Sequence, residues 1–88
     1  MLNLVPLFMH TNTTRTVRDW LSRPANPFTP VALAKRIDSE AARALCRAAD
    51  ELHRADPDNE AAWNNAADAY DVAERDFLDI HAGTEVTL

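Results

Sequence analysis

Between Pro57 and Gly83 the apolar positions Trp63, Ala66, Tyr70, Ala73, Phe77 and Ile80 recur at alternating gaps of 3 and 4. That spacing paints one face of an α-helix. Asp56-Pro57 or Asn59 offers a helix start, with Asp58 and Glu60 near the positive end of the dipole. Gly83, the only glycine in the chain, follows the last periodic residue and is expected to adopt the left-handed C′ conformation. The pattern predicts a helix over about 57–82. A second stripe, Ala34, Ile37, Ala41, Leu45, Ala48, Leu52 and Ala55, predicts another over about 30–54. Thr29 and Pro30 open it as cap and first residue, and Pro57 forces its end. Two helices of similar length joined by a few residues pack antiparallel. Alanines on both stripes would let the axes approach closely.

Upstream, Thr13 or Thr14 is placed to cap a short helix over about 14–22, on which Val17, Trp20 and Leu21 share a face. Pro24, Pro27 and Pro30 then prescribe a stiff, extended connector carrying Phe28, which is expected to plug the core. Residues 1–13 read as a flexible or extended arm. Its apolar start, MLNLVPLFM, lacks a basic flank and is too short to span a membrane. Residues 1–8 and the tail Thr84–Leu88 have the composition of a minimal ribbon, although two lone strands are marginal. The expected fold class is all-α: one small domain, a long helical hairpin with the short helix and the Pro-rich connector packed on it.

Composition narrows the chemistry. Eighty-eight residues suffice for one modest core, and much of the hydrophobic content is alanine, which favours helix but buries little area. Self-association, as a homodimer or four-helix bundle, would supplement that core. Cys46 is alone, which removes an intrachain disulfide or a thiolate cluster and suits a reducing cytoplasm. His10, His53 and His81 have no metal-ligand spacing; His53 and His81 fall near helix C-termini, where a cation is favourable. A single glycine rules out a glycine-rich phosphate loop, and no nucleophile–base constellation is visible. No catalytic residue, metal, cofactor or small-molecule substrate is therefore expected. The size suits an accessory protein of a phage or mobile element.

The net charge of −5 is unevenly spread. Residues 1–36 carry Arg15, Arg18, Arg23, Lys35 and Arg36 against Asp19, whereas residues 37–88 carry four arginines against thirteen acids. The last predicted helix bears Asp68, Asp71, Glu74, Asp76 and Asp79 against Arg75 alone. An ordinary solvated face accounts for such a run. It would equally make an acidic docking ridge for a basic partner, with Val72, off the main stripe, as an apolar contact. Trp20 is a further candidate anchor if exposed. The leading expectation is thus a non-enzymatic protein-interaction module, an adaptor or inhibitor, using Asp68, Asp71, Val72, Asp76, Asp79 and Trp20.

Two local resemblances bear on this reading. Pro57, Trp63, Ala67 and Tyr70 resemble the first helix of a tetratricopeptide repeat, which implies a helical protein-binding scaffold. Where that family turns, however, Asp71 to Phe77 continues the helical pattern, so a capped amphipathic helix accounts for the same residues. Thr29 to Arg47 resembles a helix-turn-helix, with Asp38-Ser39-Glu40 as the turn and Asp38 where the motif prefers glycine. That resemblance implies DNA binding through Arg43 and Arg47, joined by Arg15, Arg18, Lys35 and Arg36 from the basic third. Glu40, Asp50 and Glu51 on the same helix would oppose phosphates.

Overall fold

The computed structural model describes residues 14–23 and 28–88. The expected arm over 1–13 and the connector residues 24–27 lie outside the described residues. In chain order the elements are β1 (Thr14–Thr16), α1 (Val17–Ser22), α2 (Pro30–Ala34), α3 (Glu40–Arg54), α4 (Glu60–His81) and β2 (Glu85–Thr87). The described chain is mostly helical, with one short antiparallel sheet.

Every helix begins on a side-chain cap. Thr16, Thr29, Ser39 and Asn59 accept from the backbone N–H of Asp19, Ala32, Ala42 and Ala62 respectively, each satisfying one of the N–H groups a helix start leaves over. Two of these starts correct the sequence reading. The first helix opens at Val17 rather than Thr14, because Thr14 to Thr16 are extended and pair with the tail. Their register is Thr14 with Thr87, Arg15 with Val86 and Thr16 with Glu85. The tail does form a strand, but its partner is this segment, and the fold is not purely α.

The second correction concerns the expected helix over 30–54, which is two helices. After Ala34 the backbone tightens to i→i+3 bonds, Arg36 N–H to Leu33 and Ile37 N–H to Ala34. Ser39 then restarts the chain as the cap of α3. Ile37 and Ala41, four apart in sequence, part company across this break: Ile37 lies with Ala34, Ala42 and Cys46, whereas Ala41 lies with Ala44, Ala69 and Val72. Among the described residues the ion pair present is Arg43 with Asp38, at 2.6 Å.

A five-residue connection joins α3 to α4, and the two pack along each other. Ser39 at the start of α3 hydrogen-bonds to His81 in the last turn of α4, so the pair runs antiparallel. The core lies at this end. Val17, Trp20, Leu33, Ala34, Ala42, Leu45, Phe77 and Val86 form one buried cluster, with Phe28, Ile37, Tyr70 and Leu78 packed against it. Backbone bonds from Val17 N–H to Thr84 and from Arg18 N–H to Ala82 stitch the start of α1 onto the end of α4. Phe28 meets Trp20 edge to face at 5.2 Å, the plug expected of the connector.

Toward the α3–α4 turn only two helices face each other among the described residues, and burial falls away. Trp63 is 41% exposed and Ile80 63% exposed, against the expectation that both anchor the core. Among the described residues, no third layer covers Trp63. At Ile80 the core side of α4 has moved to Phe77, Leu78 and His81, where α1 and the strands pack. Gly83 also departs from expectation. It does not take a left-handed backbone, and a Cβ there would meet open space. The helix instead ends through Ala82, in the right-handed region, and a bond from Thr84 N–H to His81.

Candidate functional site

Because the core is loaded at one end and one side, the opposite flank of the α3–α4 seam is left open. A groove of about 610 Å³ runs there, lined by Ala41 and Ala44 of α3 and by Ala69, Val72, Ala73 and Ile80 of α4. Glu40 and Asp76 complete its wall, and among the described residues no basic one lines it. Val72 is 52% exposed. With Ile80 it gives two large apolar side chains on a solvent-facing surface eight residues apart, about 12 Å along the helix. The alanines opposite keep the floor shallow.

The structure sorts the acidic-ridge residues. Val72 and Asp76 line the groove. Asp68 and Asp79 are exposed elsewhere on the same helix. Asp71 sits about 140° around α4 from Asp76 at 3.6 residues per turn, on the side of Tyr70. Burial, the Glu74 carboxylate that accepts its hydroxyl proton at 3.3 Å, and Asp71 together hold the Tyr70 phenol above its ordinary value. Leu78, the other off-stripe residue of α4, is half-buried beside Arg18, Leu21 and Ser22 of α1.

Trp20 does not have the exposure on which its reading as an anchor depended. It is only 8% exposed, and its indole N–H donates to the Val86 carbonyl at 3.0 Å. The guanidinium groups of Arg15 and Arg23 lie 5.7 and 5.6 Å from its ring centroid, placing a cation over an aromatic face. It ties β2 to α1.

The basic candidates are divided. Arg15 is occupied with Trp20, and Arg18 borders Leu78. Lys35 and Arg36 flank Phe28 and Thr87 in one crevice. Lys35, Arg43 and Arg47 share another with Cys46 and Asp50, and Arg43 is held by Asp38. The described residues include no group of three or more His, Cys, Asp or Glu arranged to hold a metal. No helix among them is long and apolar enough to cross a membrane.

Ile80, Ala44, Ala69 and Glu40 are groove residues that the sequence did not assign to a docking surface. Ile80 shares the heptad-like stripe with Phe77, and no pattern along the chain distinguishes the covered position from the open one. No family model, curated protein or solved structure matches the chain.

Proposed function

We propose that the protein is a non-enzymatic helical interaction module, an adaptor or inhibitor, that docks another protein through the α3–α4 groove. The observation that carries this reading is the juxtaposition of Val72 and Ile80, both more than half exposed, in one apolar channel walled by Glu40 and Asp76. Large apolar side chains grouped on an open surface mark interaction sites more often than scattered ones do. The acidic residues Asp68 and Asp79 extend the negative field on α4. Asp71 and Trp20 drop out of the docking set on their positions.

The test is capture of a partner protein after nuclease treatment, comparing wild type with Val72→Glu and Ile80→Glu. Both positions are exposed, so circular dichroism should be unchanged. Loss of a specific partner from both variants supports the groove. Unchanged capture by both removes it.

One observation favours a second reading, DNA binding. The break at residues 35–39 supplies the helix–turn–helix connection that a continuous helix lacks, and Arg43 and Arg47 are exposed on the second helix. Several phosphate contacts would give an affinity that falls steeply with salt. A flat salt dependence, or no retardation of duplex DNA, eliminates it.

A further inference from the structure

We infer that the groove takes a cationic amphipathic helix, an inference that rests on the docking reading and names the chemistry of its partner. Two antiparallel helices leave a channel into which a third helix can lay an apolar face, reading as anchors at i, i+3 or i+4, and i+7. Val72 and Ile80 stand two turns apart and match that spacing. Ala44 and Ala69 on the facing walls leave room for the incoming backbone.

Charge selects among occupants. Among the described residues the wall holds Glu40 and Asp76 and no cation. A second copy docked through the same groove would bring these carboxylates against their own equivalents, and like charges at a contact are costly. An incoming helix with Lys or Arg beside its apolar stripe meets a carboxylate on each side instead. The match is on α3 through Glu40 and on α4 through Asp76, so it fixes the placement of the ligand's basic residues on both edges of its stripe.

The probes are three synthetic peptides of about 16 residues, about 24 Å as a helix, enough to overspan the roughly 17 Å from Ala69 to Ile80. One carries a leucine stripe flanked by lysines, the second has glutamate for lysine, and the third is a scramble of the first. Titration calorimetry on the full chain reads affinity, and amide shift mapping reads location. The cationic peptide should bind, shifting the amides of Ala44, Ala69, Val72 and Ile80, and the other two should bind at least about tenfold more weakly. Val72→Glu should weaken binding about tenfold or more, and Glu40→Lys with Asp76→Lys should transfer the preference to the glutamate peptide. Asp58→Lys, away from the groove, should leave affinity within about twofold.

Equal binding of the scramble, or an equal effect of Asp58→Lys, would reduce the interaction to general electrostatics and overturn the inference. Self-association abolished by Val72→Glu, without peptide uptake, would overturn it in favour of a second copy while leaving the groove as a contact surface. Peptide binding that appears only after deletion of residues 1–13 would make the chain's own N-terminal segment the resident occupant and overturn it likewise. If no peptide binds, no dimer forms and groove variants capture partners as well as wild type, the docking reading falls as well.

Discussion

The Ser39 hydroxyl lies 2.8 Å from Nε2 of His81, joining the first residue before α3 to the last turn of α4. The same Ser39 oxygen accepts from Ala42 N–H at 3.1 Å. His81 Nδ1 is 3.0 Å from the Thr84 hydroxyl, and its ring lies 5.2 Å from that of Phe77. One side-chain contact thus couples a helix start, a helix end and the approach to β2. Ser39→Ala and His81→Ala should each cost about 1–2 kcal/mol, through the lost cap in one case and two half-buried hydrogen bonds in the other. The double substitution should cost less than the sum, since both singles break the same bond. Urea denaturation of the four proteins gives the coupling; strict additivity would show that the contact contributes nothing.

The uneven core makes a contrast between two aromatics of one helix. Phe77 is fully buried and Trp63 is 41% exposed. Phe77→Ala should cost about 3–5 kcal/mol, and Trp63→Ala only about 1 kcal/mol, the scale of a surface-proximal change. Comparable losses in denaturant midpoint would mean that the turn end of the pair is as tightly packed as the other.

Gly83 occupies backbone that any residue can adopt, with open space around its missing Cβ. Gly83→Ala should stabilise the protein by about 0.4–1 kcal/mol by restricting the unfolded chain. A fall in the thermal midpoint would contradict the ordinary backbone geometry found there.

Tyr70 sets an alkaline limit. Its phenol is raised above the ordinary value of 10.0, first by burial and then by the Glu74 carboxylate. The folded state therefore holds the proton more tightly than the unfolded chain does. The associated stability is complete below pH 10.0, the unfolded value, and is lost as pH rises from there through the folded value. Tyr70→Phe should flatten this alkaline decline and leave the neutral region without a pH slope from this site. Tyrosinate absorbance follows the one tyrosine of the chain directly; ionisation at or below the ordinary phenol value would refute the assignment.

The caps and periodicities that were legible in the sequence are those decided within a few residues. Asn59, Thr29 and the stripe through Tyr70 and Phe77 belong to this class. What escaped depends on contacts far apart in the chain. The extended state of Thr14 to Thr16 is set by Glu85 to Thr87, and no local property of TRT announces it. The break before Ser39 was hidden because Ile37 and Ala41 stand four apart in the sequence, the spacing that a continuous helix would also show. Trp20, Trp63 and Ile80 were all read from hydrophobicity, which says that a side chain gains from cover without saying whether the fold has a layer left to supply it. For the candidate site, Val72 and Asp76 were legible as residues off the main stripe. Their partner Ile80 was not, because the core turns away from it only in three dimensions.

The strand pair also bears on the order of assembly. Thr14 and Thr87, whose hydroxyls lie 2.8 Å apart, are separated by 73 positions. Closing a loop of that length costs on the order of 4 kcal/mol in chain entropy, whereas α3 and α4 meet across five residues. Strand pairing is therefore expected to be the last event in folding and the first lost in unfolding. Thr87→Ala should then speed unfolding and leave the refolding rate nearly unchanged. Both ends of the described fold would open together, as one latch, ahead of the helices that they hold closed.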